Sequence, residues 1–267
     1  PVGEDGGAAM MIKEGALENP KPDVAFAIHT SPFPANTLYY GRGDACAASE
    51  LLKIEINGMG VHGSTPWMGK DPMTVAAEII LALGQIYRQV PATEAITISI
   101  GKVDDKGRFN FIGDNIILWG TVRCIHQQMM EDVNMRIQRI VTNVAAAHGL
   151  TAEASFDQQV PAIFNDPQWL DRFMPTMERI FGHDNIRLGP PMLAYDDHSC
   201  FQIACGGVYL LLGCQDTKWT DKGLESIDPQ KPIPFNHNPH FYVKYEVLKN
   251  GVSMHANVAM DFLKGKI

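Results

Sequence analysis

No stretch of this sequence comes near the ~18 consecutive apolar residues that a membrane-spanning helix needs. Basic residues are in the minority, 22 Lys and Arg against 30 Asp and Glu, for a formal net charge of −8. The first shortage argues against a membrane partner. The second argues against nucleic acid and anionic lipid surfaces, which are held by basic patches. Small molecules are left as the expected ligands. Cysteine is scarce and unpatterned. Cys46, Cys124, Cys200, Cys205 and Cys214 are odd in number and contain no CxxC pair, which points to free thiols rather than a disulfide framework or a zinc knuckle. Neither HExxH nor GxSxG occurs, so there is no zinc-protease helix and no serine nucleophile elbow. Asp196-Asp197-His198-Ser199 holds the residue types of a hydrolase triad, but adjacent side chains diverge and cannot form its relay. A helix start capped by Asp197 or a neighbour is the expected use of these residues. Low-complexity linkers and internal repeats are absent. The chain begins at Pro1 without an initiator Met, a basic n-region or an apolar h-region, so the natural N-terminus is out of view. Localisation stays open between the cytoplasm and the periplasm or exterior.

What is present is enough for a sizeable core in one or two domains: 267 residues, 45% apolar and 19% charged. Residues 24–28 and 207–213 are short unbroken apolar runs, which suit strands covered on both faces in a parallel sheet. Residues 45–157 follow a different order. Leu52, Ile54 and Ile56 alternate as a strand, and Asp71-Pro72 opens a helix along Ala76, Ile79, Ile80, Leu83 and Tyr87. Ile96, Ile98 and Ile100 alternate as a second strand, and Ile117, Trp119 and Val122 mark a third over residues 115–124. Met130, Val133, Ile137, Ile140, Val144 and Ala145 form a second helix stopped by Gly149, and Ala152, Ala154 and Phe156 a fourth strand. This β-α-β-β-α-β order is that of a ferredoxin-like sandwich. The expected fold class is α/β: a parallel-sheet domain made of residues 1–44 and 158–267, interrupted by a ferredoxin-like insert over residues 45–157 on hinges near Ala45 and Val160. A helix over residues 247–263, with Val247, Val252, Ala256, Ala259 and Leu263 on its apolar face, ends the pattern.

Three of the nine histidines stand in unusual surroundings. His62 follows the first strand of the insert in a turn with Gly58, Gly60 and Gly63, so its imidazole can reach outside its own domain; a plain surface-loop histidine is the alternative. His29 is expected at the carboxyl end of the strand over residues 24–28, where open α/β sheets bind ligands, and a capping or packing role fits it equally well. His237 lies in Pro-Phe-Asn-His-Asn-Pro-His-Phe, residues 234–241, where prolines exclude helix and sheet. Two neutral imidazoles beyond a sheet edge would suit zinc, manganese or a similar ion. Arg123 ends a strand and Asn110 lies in the loop before it. Either could hold a substrate carboxylate, Arg with a planar donor fork and Asn with a neutral amide; for Arg123 surface solvation is the plainer reading.

With these residues in hand the chain resembles the M20 metallopeptidase family, in its amidohydrolase branch of hippurate hydrolases and auxin-conjugate hydrolases. Gly3-Glu-Asp-Gly-Gly-Ala8 with Met10-Met-Ile-Lys-Glu-Gly15 is similar to the stretch following the family's paired glutamates. Phe26-Ala-Ile-His29 resembles its strand ending in a metal-binding histidine, and His62-Gly-Ser-Thr-Pro-Trp67 the histidine loop of its lid. Asn110-Phe-Ile-Gly-Asp114 and Gly120-Thr-Val-Arg123 resemble the lid's substrate loop and third strand. Ala194-Tyr-Asp-Asp197 stands where Glu-Asp-Phe is usual, and His237-Asn-Pro-His-Phe241 resembles the C-terminal histidine segment.

The resemblance implies a metallohydrolase catalytic domain with the insert as a lid and dimerisation domain. It also implies a homodimer through that lid and hydrolysis of the amide bond of N-acyl amino acids or dipeptides by two divalent ions (zinc, manganese, cobalt or nickel). By position, His29 and His237 would each be a terminal ligand, His62 would stabilise the oxyanion formed as the amide carbonyl is attacked, and Asn110 would hold the substrate carboxylate. The family's other ligands and its general-base glutamate have no counterpart; Glu4 fits just downstream of the glutamate pair, and whether Glu4 or Asp5 could substitute stays open. The chain therefore reads as the final two thirds of such an enzyme, inactive alone. The alternative is a metal-free pseudoenzyme or a binding and dimerisation module.

Overall fold

A computed structural model describes residues 7–267; Glu4 and Asp5 lie outside the described residues. The elements, in chain order, begin with α1 (Gly7–Lys13), β1 (Ala25–Pro34), β2 (Leu38–Tyr40), β3 (Gly43–Cys46), β4 (Ala48–Asn57), β5 (Val61–His62) and α2 (Pro72–Leu83). They continue with β6 (Ile96–Asp105), β7 (Phe111–Ile112), β8 (Asn115–Cys124), α3 (Gln127–Ala147), β9 (Thr151–Val160), β10 (Ile163–Asn165), α4 (Pro167–Phe181) and β11 (Ile186–Leu188). The last are α5 (His198–Cys205), β12 (Gly207–Gln215), β13 (Thr217–Thr220), β14 (Gly223–Ser226) and α6 (Tyr245–Leu263). Two compact units divide the chain. Unit 1 gathers Cys46–Ala162 with Met192–Asp197 and the described residues up to Met11; unit 2 gathers Ile12–Ala45, Ile163–Pro191 and His198–Ile267.

Unit 1 is built on an antiparallel sheet in the order β6-β8-β4-β9, crossed by α2 and α3. Numbered within the unit as strands 1 to 4 (β4, β6, β8, β9), this is the 2-3-1-4 order of the ferredoxin-like sandwich. The sequence dictates its parts locally. Asp71 accepts from Met73 N at 2.8 Å as the N-cap of α2, with Pro72 at the first helical position. Gly149 follows α3 at φ 72°, the left-handed conformation glycine adopts freely. Alternation along β4 sends Leu52, Ile54 and Ile56 into the core, all fully buried, against Val133, Ile137 and Val141 of α3. Each such side chain contributes about 1.5–3 kcal/mol on burial, which makes this strand and helix the centre of the unit's stability.

Unit 2 carries a mixed sheet in the order β1-β12-β2-β11. β1 and β12 pair in parallel, as do β2 and β11, while β2 runs antiparallel to β12. The core packs Val208, Leu210 and Leu212 of β12 with Leu170, Phe173 and Met177 of α4 and Val247, Met254 and Val258 of α6. The sequence reading ended the first strand at residue 28 and put His29 at its carboxyl end. β1 instead runs on to Pro34, and His29 stands in its middle, opposite Leu211. Prolines 32 and 34 do not stop it because, among the described residues, β1 pairs on one side only, and a missing N–H on the other side costs no ladder bond. The pairing absorbs them in an irregularity between Ser31 and Pro34.

Candidate functional site

Two of the sequence candidates meet in unit 1. β5 and β7 form a two-residue antiparallel ribbon in which His62 lies opposite Phe111 and Val61 opposite Ile112. Just beyond it Gly63 N donates to Asn110 O at 2.9 Å. A Cβ at Gly63 would stand 3.2 Å from the carbonyl carbon and oxygen of Asn110, so glycine is what lets the two turns approach this closely. His62 and Asn110 are thereby held on neighbouring arms of one ribbon, both exposed.

The His62 ring is held by its neighbour. Ser64 N donates to Nδ1 at 3.2 Å, and Ser64 Oγ stands 2.8 Å from the same nitrogen. A backbone amide can only donate, so Nδ1 of the neutral ring is the acceptor and the proton is on Nε2. His62 therefore presents a hydrogen-bond donor outward.

In unit 2 the opposite tautomer is fixed. His29 Nδ1 lies 2.7 Å from Thr30 O. A carbonyl can only accept, so Nδ1 carries the proton and Nε2 keeps its lone pair, the arrangement in which metal-binding histidines are oriented by a second partner. The same Thr30 O accepts from Asn236 Nδ2 at 2.9 Å, and Asn236 precedes His237. The segments of His29 and His237 are thus tied to one carbonyl oxygen. His237 is exposed and has φ 66°, a conformation that costs a non-glycine residue on the order of 1 kcal/mol. Asn238 N→Phe235 O (3.1 Å), Phe241 N→Asn238 O (2.9 Å) and His240 N→Asn238 Oδ1 (2.9 Å) hold the loop in place. A cavity of about 660 Å³ in unit 2 is lined by Asp216, Asp228, Ile233, Asn238 and His240, among others.

As metal donors the two histidines fit the role of terminal ligands, since neutral imidazoles suit zinc, manganese and their neighbours. Among the described residues, no group of three or more His, Cys, Asp or Glu gathers around one point. The thiols do not fill the gap. Burial first, and then the charge of Asp196, pushes the Cys46 thiol up to about 12; burial first, then Glu50 and Glu94, does the same for Cys124.

For Arg123 the structure provides a partner inside the chain. Nη1 donates to Leu193 O at 2.8 Å, the guanidinium lies 4.9 Å over the Tyr195 ring, and Nε is buried without an acceptor. Through these contacts Arg123 ties Met192–Asp197 to the sheet of unit 1. Ala47 N, donating to Met192 O and Ala194 O at 2.9 Å, completes the tie. Asp197, which directly precedes α5, accepts from Ala8 N at 2.7 Å in the first turn of α1. Sequence reasoning missed this strap, because its partners are 70 to 189 positions away. It also missed Asn236, for which the only signal was the side-chain amide next to His237.

Residues 51–149 match the family described as the peptidase dimerisation domain of M20. The chain is 30% identical to thermostable carboxypeptidase 2 of Saccharolobus solfataricus, over 98% of this chain and 64% of that protein. It is 27% identical to the hippurate hydrolase of Campylobacter jejuni, over 97% of this chain and 64% of that protein. Among solved structures, the Bacillus subtilis YXEP protein, a dinuclear metal-binding peptidase of the M20 family, superposes with a TM-score of 0.73 at 21% identity, over 99% of this chain and 64% of that one. The chain spans less than two thirds of the length of these relatives. The chain thus contains an M20 peptidase dimerisation domain over residues 51–149 and is similar, over nearly its whole length, to a carboxypeptidase and a hippurate hydrolase.

Proposed function

We propose that this chain supplies the lid and part of the metal site of a hydrolase that cuts the amide bond of N-acyl amino acids or small peptides. The observation that carries the reading is the opposite tautomers of His62 and His29. A ring that shows N–H outward suits an oxyanion, and one that shows a lone pair suits a metal ion; the local hydrogen bonds give each residue the form its role needs. Bound divalent ions, zinc, manganese, cobalt or nickel, would supply polarisation of the amide carbonyl and activation of the attacking water. His29 and His237 would hold them, one on each ion. Asn110, on the arm beside His62, would donate to the substrate carboxylate, so carboxylate and scissile carbonyl are read by one ribbon. Arg123 would act through the strap it holds.

In the protein that carries this chain, His62→Ala should keep its metal content and lose about 10²- to 10³-fold in kcat, the usual effect of removing one oxyanion donor. Loss of metal along with activity would sink the assignment. A second reading, a dimerisation or binding module without catalysis, has in its favour the dimerisation-domain match over residues 51–149. Two neutral imidazoles do not offset the charge of two cations, so the chain by itself should bind metal weakly and turn over no N-acyl amino acid. Turnover at ~1 s⁻¹ or more with added zinc, manganese or cobalt would contradict that expectation, and a full-length protein that takes up no metal would favour the module.

A further inference from the structure

The core-facing side of β4 contains one ionisable residue. Glu50 shares its parity with Leu52, Ile54 and Ile56 and is only 6% exposed. Its Oε2 accepts from Asn134 Nδ2 of α3 at 2.6 Å, while Asn134 Oδ1 is buried with no donor to satisfy it. Two acceptors facing an apolar core are expensive, because an unmade bond there costs the full desolvation of the group. A carboxylate has no proton to give, so ionised Glu50 cannot relieve Asn134 Oδ1. A carboxylic acid can: amide N–H to acid oxygen and acid O–H to amide oxygen close a reciprocal pair that uses both partners' groups.

We infer that Glu50 is a neutral acid in folded unit 1, bonded reciprocally to Asn134, and that its ionisation is a pH-sensitive switch on the packing of α3 against β4. The surroundings agree. Burial pushes the Glu50 carboxyl up from its ordinary value, with the Asn134 hydrogen bond opposing in part. From β8 it is faced by Cys124, itself fully buried and neutral. Beyond Cys124, Glu94 is engaged with His126 at 2.6 Å, and on α3 Asp132 and Arg136 are paired with each other at 2.8 Å. The pairing of β4 with β9 is irregular between Ser49 and Leu51 of β4, and Gln158 of β9 has φ 49°. Glu50 forms no ion pair among the described residues, so no cation holds it in the charged form.

The direction of the switch follows from the raised carboxyl. The contribution is fully present below the ordinary glutamate value of 4.5 and is lost as pH rises through the folded-state value. Across that window the folding equilibrium constant falls by up to about tenfold per pH unit for one proton. The test uses the whole chain. Carbon-13 NMR of the glutamate carboxyls, with Glu50 assigned by its disappearance in Glu50→Gln, reads the protonation state directly, and urea unfolding of unit 1 between pH 4 and 8 reads the linkage. Expected are a Glu50 signal that titrates well above its neighbours and wild-type stability that declines across that window. Glu50→Gln, which can form the same amide pair without a proton to lose, should be flat in pH and more stable at the alkaline end. A Glu50 carboxyl that titrates at its ordinary value overturns the inference even if Glu50→Gln does not fold, and so does a Glu50→Gln chain that keeps the wild-type slope.

Discussion

A histidine is a donor or a ligand according to what its other nitrogen touches, and here two neighbouring residues make that choice: the Ser64 amide for His62 and the Thr30 carbonyl for His29. Both partners are backbone groups within two positions, so the choice survives most side-chain substitutions around them. At the same scale the cysteines are decided by burial. For Cys46 and Cys124, a rise from 9.0 to about 12 lowers the thiolate fraction at pH 8 by about a thousandfold. Neither should be alkylated in the native protein, and both should react once urea exposes them. Peptide mass spectrometry after a short iodoacetamide pulse reads this, and rapid native labelling of Cys46 or Cys124 would mean that the core opens readily.

Elements bring the candidates together. The proposed metal-binding segments depend on β1 and on the loop over residues 234–241, joined by Asn236 Nδ2 to Thr30 O. Asn236→Leu keeps the bulk and removes that bond. It should weaken divalent-metal affinity in the full protein by about 10- to 100-fold, the usual effect of losing a partner that orients a ligand; calorimetric titration with unchanged affinity would show that the tie is dispensable. Helix α6 corrects a sequence expectation. Val252 and Leu263, placed on its apolar face by periodicity, are 70% and 83% exposed, whereas Val247, Met254, Val258 and Asp261 are buried. Asp261 belongs inside because Arg179 and Thr176 of α4 reach it at 2.7 and 2.8 Å. Arg179 first, and then Thr176, holds its carboxyl below the ordinary 3.8. That stabilisation is present above pH 3.8 and is lost as pH falls through the folded value. Asp261→Asn should therefore be less stable near pH 6 and lose less on acidification below about pH 4, as monitored by circular dichroism; an acid limb identical to wild type would assign it to other carboxylates.

At the scale of the whole molecule, the sheet of unit 1 ends in β6 and β9, two ten-residue edges without a strand partner among the described residues. Open edges invite strand addition, and the unit contains a peptidase dimerisation domain. Pairing with a second copy through this unit should give a particle of twice the chain mass of 29.5 kDa in light scattering at micromolar concentration. A monomer under those conditions would remove the proposed interface.

The sequence by itself determined what is local. The periods of β4 and α3, the Asp71-Pro72 start and the glycine stop at 149 are written in residues a few positions apart, and the structure uses them so. The α/β class and the ferredoxin-like order follow from those elements, and the motifs around His29, His62 and His237 could be picked out because each is short and contiguous. Tertiary structure decided whatever depends on distant partners. β1 runs past its prolines only because, among the described residues, it pairs on one side, Arg123 is engaged only because residues 192–197 return to it, and Glu50 meets an amide only because α3 crosses β4 at Asn134. Periodicity reports which face of an element is apolar. Where a polar residue can be buried is settled by the group that comes to meet it, and that group can be 80 or more residues away.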